Sequence, residues 1–98
     1  MKKTYQLTHP KIKLARLIDA AKYDAKKYMR RERNKKLPEG AKFWNFECRY
    51  GATENDAKVI HVSKVNKSID LALKAKLESF YLEIIAVPGF RENKQPSE

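Results

Sequence analysis

Phe43-Trp44-Asn45-Phe46-Glu47-Cys48-Arg49-Tyr50 alternates without a break. Trp44, Phe46, Cys48 and Tyr50 fall on one side and Phe43, Asn45, Glu47 and Arg49 on the other, the period of two of a strand with one face in a core. Aromatic and β-branched side chains suit such a half-buried pleated surface, so this stretch anchors a sheet. On its C-terminal side, Gly51 to Ala57 is rich in Thr, Glu, Asn and Asp and reads as a loop. Lys58 to Val62 then returns as a short β-branched hairpin partner. On its N-terminal side, Pro38-Glu39-Gly40 supplies a turn, and Pro38 biases Leu37 out of the helical region.

Before that turn lies a long helix. Thr8 or His9 precedes Pro10, which a first helical turn accepts because its missing N–H would have no partner there anyway. Leu14, Leu17, Ile18, Ala21, Ala25, Tyr28 and Met29 recur at spacings of three and four and occupy about 120° of arc. Glu32, Lys35 and Lys36 fall where this stripe would continue. The last turns are therefore expected to project beyond the core and end by Lys36. Lys3 to Leu7 alternates and forms a first strand. Ser63 is placed as the N-cap of a second helix with Val65, Ile69, Ala72 and Leu73 on its buried face and Lys64, Lys67 and Lys74 outside. Phe80 to Val87, apolar except for Glu83, reads as a central strand closed by a Pro88-Gly89 turn.

The order β-α-β-β-α-β predicts an α+β fold of the ferredoxin-like, split βαβ kind, with two helices on one face of a four-stranded antiparallel sheet. Thr4, Gln6, Asn45, Glu47, Arg49, His61, Tyr81 and Glu83 are expected on the open face. With 98 residues the chain has room for one core, expected over residues 1–90, and the polar residues 91–98 read as a flexible tail. Met1-Lys2-Lys3 is followed by no continuous apolar run, so a secretory leader is not expected. No apolar stretch approaches the ~20 residues of a membrane span, and a soluble, cytoplasmic protein is the expectation. Cys48, the single cysteine, sits in an apolar run and reads as a reduced core residue.

Charge is the feature that points to function. The chain carries a formal +10, and the fifteen residues Lys22 to Lys36 hold eight Lys/Arg against Asp24 and Glu32, a local +6. On a helical wheel, Arg16, Lys22, Lys26, Lys27, Arg30 and Arg33 fall opposite the apolar stripe, with Tyr23 at the centre. Cations along phosphates with an aromatic for a sugar or an unstacked base make a polyanion-binding surface, RNA being favoured. The bland alternative is a solvated face whose last cations offset the helix dipole, ~0.3 to 1 kcal/mol each. Against it, Lys22/Lys26, Lys26/Arg30, Lys27/Arg31 and Arg31/Lys35 are like-charge i,i+4 pairs, each destabilising by roughly 0.2 to 0.5 kcal/mol. The same face could dock an acidic protein.

A sheet-face RNA-recognition module is a poor match. Lys58-Val59-Ile60-His61-Val62 lacks stacking aromatics, and Glu47 and Glu83 would repel phosphate, so nucleic acid is expected on the helices. A small enzyme would need Glu47, Arg49, His61 and Glu83 to converge on the open face, and no nucleophile motif or phosphate loop accompanies them. His9, His61 and Cys48 lack metal-ligand spacing; neither a metal nor a cofactor is expected.

Finally, Lys27-Tyr28-Met29-Arg30-Arg31-Glu32-Arg33, Leu37-Pro38-Glu39-Gly40, Phe43 to Gly51 and Pro88-Gly89-Phe90-Arg91 together resemble a family of short, functionally uncharacterised bacterial proteins. The resemblance spans most of the chain. It implies a small cytoplasmic bacterial protein and carries no activity, ligand or site residue with it.

Overall fold

Nine consecutive residue pairs, from Phe43↔Gly89 to Gly51↔Tyr81, join β2 (Phe43–Gly51) to β4 (Ser79–Gly89) in antiparallel register. In this computed structural model, which describes residues 1–90, β1 (Lys2–Gln6) flanks β4 and β3 (Lys58–Ile60) flanks β2, so the sheet order is β1-β4-β2-β3. Two helices, α1 (Leu14–Arg33) and α2 (Val65–Lys74), complete an α+β fold with a four-stranded antiparallel sheet. The expected tail, 91–98, lies outside the described residues.

The order differs from the ferredoxin-like one, which has the first and third strands in the centre. Here the second and fourth are central. Both βαβ units are still split: β1 and β2 run parallel with β4 between them, and β3 and β4 with β2 between them. Burial explains the exchange. Phe80, Leu82 and Ile84 of β4 are fully buried, as suits a central strand, whereas β1 opens with exposed Lys2 and Lys3 and β3 is three residues long with Val59 81% exposed. Short, charged strands belong at sheet edges.

The core forms where the even-numbered residues of β2 and β4 meet the helices. Phe46, Cys48, Phe80, Leu82 and Ile84 pack with Ile18, Ala21 and Ala25 of α1 and Val65, Ile69 and Ala72 of α2, joined by Tyr5 and Leu7. Leu17, Leu73 and Trp44 pack against this cluster from its margin. Trp44 is only half-buried, and its indole N–H donates to the Lys35 carbonyl at 2.9 Å, tying β2 to the chain just after α1. The helices touch each other as well: Lys22 of α1 reaches Asp70 of α2 at 2.7 Å.

Several element ends differ from expectation for local reasons. α1 starts at Leu14 and not at Pro10, because the His9 Nδ1 accepts the amides of Lys11 (2.9 Å) and Ile12 (3.0 Å) and closes a turn there. Leu14 itself is 40% exposed, so the stripe begins at Leu17. At the other end the stripe continues through Glu32, which is 9% exposed and compensated by Lys35 at 2.9 Å, and the helix closes at Arg33. Ser63 is not a helix N-cap: Val62–Lys64 is a 3₁₀ turn capped by His61, and α2 follows it. Pro88-Gly89 does not end β4 either. The strand runs through both, opposite Trp44 and Phe43. The missing N–H of Pro88 faces the side where β1 no longer reaches, so no ladder bond is lost, and the Phe43 ring lies against Gly89 where a Cβ would stand.

After α2 the chain reverses through Lys76 at φ 57°, with Leu77 N–H bonded to the Ala72 carbonyl (3.2 Å) and Lys76 N–H to that of Leu73 (3.1 Å). This is a Schellman closure with a lysine where glycine would be unstrained. Lys76→Gly is expected to raise the unfolding free energy by about 1 kcal/mol, while Phe80→Ala, at a fully buried site, lowers it by about 3 to 5 kcal/mol. Urea titration of both variants measures these changes.

Candidate functional site

The outer side of α1 is built by the same periodicity that builds its core side. With Ile18, Ala21 and Ala25 turned inward, Arg16, Tyr23, Lys26, Lys27 and Arg30 are turned out, and all five are exposed. Tyr23 is 63% exposed, and the Lys27 ammonium lies 5.9 Å from its ring centre. Among the described residues none of Arg16, Lys26, Lys27 and Arg30 is in an ion pair.

Two of the seven residues expected on this face have neighbours from other segments. Lys22 is half-buried at the seam between the helices, held by Asp70. Arg33 stays exposed, its guanidinium 5.2 Å from the Phe46 ring centre. On the wheel both flank the apolar stripe, so the packing of a second helix and of β2 decides their environment.

Residues the sequence reading did not single out extend the basic surface. Beyond Lys27, a cleft between α1 and β1 is lined by Lys3, Tyr5, Asp24, Tyr28 and Arg31. Arg31 lies 5.7 Å from the Tyr28 ring centre, and Asp24 is shared between Lys3 (3.6 Å) and the Tyr5 hydroxyl (3.4 Å). Burial, with the Asp24 charge beside it, raises the Tyr5 phenol well above its usual range. The pairing of β1 beside α1 was the missing information.

Of the residues expected on the open sheet face, Tyr81 is the one that is buried, 3% exposed, and the apolar Phe43, Val59, Ile85 and Val87 share that face. Gly51 lies opposite Tyr81, and the backbone of Asp56 and Ala57 folds against the open side of that glycine, where a Cβ would come within 2.6 Å of the Ala57 Cα. The loop thereby roofs the phenol. Under it, Tyr81 donates to Glu83 Oε1 at 2.8 Å, Arg49 meets the same oxygen at 3.4 Å, and the Arg49 Nη2 donates to the Ala57 carbonyl at 3.0 Å. Burial first, then the hydrogen bond to the Glu83 carboxylate and its charge, push the Tyr81 phenol up to about 12.

Glu47, Arg49, His61 and Glu83 do come together, lining one groove of ≈ 600 Å³ at the β2–β3 edge of this face. Their bonds limit what they can do. Glu83 is occupied by Tyr81 and Arg49, and His61 Nδ1 is engaged by Ser63, 2.8 Å from its hydroxyl and 3.1 Å from its amide. Cys48 is 1% exposed, and burial raises its thiol to about 11, so it stays protonated at neutral pH. Among the described residues there is no cluster of side chains able to hold a metal ion, and no helix is long and apolar enough to cross a membrane.

These features define a small α+β protein of formal net charge +10, with four cations on the outer face of α1 in no ion pair among the described residues and a partly roofed open sheet face. The chain belongs to a family of unknown function, DUF6172, whose model matches residues 1–95. No curated protein and no solved structure matches it.

Tyr81 gives this region a pH signature. Its pKa in the folded chain, about 12, lies above the ordinary 10.0, so its contribution to stability is complete below pH 10.0 and is lost as pH rises through about 12. Tyr5 and Tyr50 are also raised and act in the same direction. Stability measured by denaturant titration is therefore expected to fall above pH 10, and Tyr81→Phe to make that fall shallower.

Proposed function

We propose that this protein binds RNA through the outer face of α1, with Arg16, Lys26, Lys27 and Arg30 on backbone phosphates and Tyr23 against an unstacked base. The observation that supports this reading most strongly is the lack of carboxylate partners for these four cations among the described residues. At the seam with α2, by contrast, Lys22 is neutralised by Asp70 at 2.7 Å. A row of free cations repels itself and gains when phosphates replace their counterions. The exposure of Tyr23, 63%, favours single strands, because a duplex offers no free base to stack on. Lys3 and Arg31, in the cleft beside Lys27, continue the positive surface toward β1.

Contact with about four phosphates predicts a log-log salt slope of about −2.8 on single-stranded RNA and about −3.6 on duplex DNA. Lys26→Glu with Arg30→Glu removes two contacts without touching the apolar stripe, so the single-strand slope is expected to flatten by about 1.4. Tyr23→Ala should weaken single-strand binding by about 1 to 3 kcal/mol and leave the slope unchanged. Fluorescence anisotropy with a labelled oligonucleotide from low to high salt measures all three. Binding insensitive to salt, or undiminished in the double variant, removes this face from the function and leaves an acidic protein partner as its ligand.

A further inference from the structure

The sheet leaves half of a central strand without a neighbour. β2 is nine residues long, yet β3 pairs with it only from Cys48 to Tyr50, because the chain turns into the 3₁₀ segment after Ile60. The ladder tells which way the uncovered groups point. The Ile84 amide donates to the Met1 carbonyl at 2.8 Å, so the even-numbered residues of β4 are bonded toward β1 and the odd-numbered ones toward β2. Through the pairs Glu83↔Arg49, Ile85↔Glu47 and Val87↔Asn45, the odd-numbered residues of β2 are those bonded to β4. The N–H and C=O groups of Trp44 and Phe46 therefore point outward, along the line that β3 abandons. The Phe46 amide is satisfied there by its neighbour's side chain, the Asn45 Oδ1 at 2.9 Å, a contact that one rotation of Asn45 would release.

Beside this edge lies the ≈ 600 Å³ groove, lined by Asn45, Glu47, Val59, His61 and Val62 among others. Its charge is the reverse of the rest of the chain. Glu83 is taken by Arg49 at 3.4 Å, whereas Glu47 is exposed and in no ion pair among the described residues. The groove thus offers one uncommitted carboxylate next to an apolar patch formed by Val59, 81% exposed.

We propose that an extended segment of a partner protein adds to this edge as a fifth strand in line with β3, with a lysine or arginine side chain opposite Glu47. Main-chain bonds to Trp44 and Phe46 supply the attachment, and the Glu47 pair selects the side chain. Phosphates are repelled by this carboxylate. A second copy of the chain would bring another +10 molecule edge to edge. A basic peptide is attracted locally in spite of the net charge, because surface charges beyond about 8 Å are screened at physiological salt.

The probe is a capped seven-residue peptide alternating valine with lysine, titrated into the full chain while amide exchange is followed by NMR. Exchange at Trp44 and Phe46 is expected to slow as the peptide binds. A glutamate-for-lysine peptide is expected to bind about two- to fivefold more weakly, although the net charge of the chain would favour it. Glu47→Gln should abolish that preference and Glu47→Lys invert it, both changes being at an exposed position. Four results overturn the proposal: no binding of the lysine peptide, binding without protection of Phe46, a preference unaffected by Glu47 substitution, or protection that rises with protein concentration alone. The last identifies a second copy as the occupant. None of these readouts involves α1, so the RNA reading stands or falls separately.

Discussion

The nine-residue antiparallel pairing of β2 with β4 is the constraint on which the rest depends. One register sets three things at once. It gathers Phe46, Cys48, Phe80, Leu82 and Ile84 under the helices. It puts Arg49 directly across from Glu83 on the open side, where each neutralises the other and Tyr81 can join them. It also aims the main-chain groups of Trp44 and Phe46 away from β4. A slip of one residue would turn every apolar side chain of a strand to water, so this register is held by the whole core and not by any single bond.

Charge is distributed in accord with that frame. Carboxylates are used at the packed seams, where Asp70 holds Lys22, Glu32 holds Lys35 and Glu83 holds Arg49. Among the described residues, Arg16, Lys26, Lys27 and Arg30 of the outer α1 face are in no ion pair. A buried or half-buried charge without a partner would cost several kcal/mol, whereas an exposed one is solvated cheaply, so these three pairs sit where burial demands them. The excess of basic residues then accumulates on the surface that packing does not use. The uncommitted carboxylate of Glu47 lies on the sheet side, away from α1, so the two proposed binding surfaces differ in sign as well as in position.

Much of the fold was legible in the residues. The alternation of Phe43 to Tyr50 located β2 and its inward face, and the three- and four-residue spacing from Leu17 to Ala25 located the buried side of α1. The strand order was less so, although the exposed Lys2 and Lys3 of β1 and the brevity of β3 mark both as edges once strand length and charge are weighed. Lys76 in the left-handed region bears no sequence mark at all, because the closure there comes from two carbonyls at the end of α2 and not from a preferred residue.

For the candidate sites, the sequence by itself determined which residue types share a face: periodicity is a local property of the backbone, and Arg16, Tyr23, Lys26, Lys27 and Arg30 follow from it. Only the tertiary structure decided what the flanking cations meet, since Asp70 beside Lys22 and Phe46 beside Arg33 arrive from distant parts of the chain. The same holds for the buried Tyr81 and the open edge of β2. One exists because a loop folds back over Gly51, the other because β3 turns away after Ile60. Both are relations between segments that no single stretch of the sequence contains.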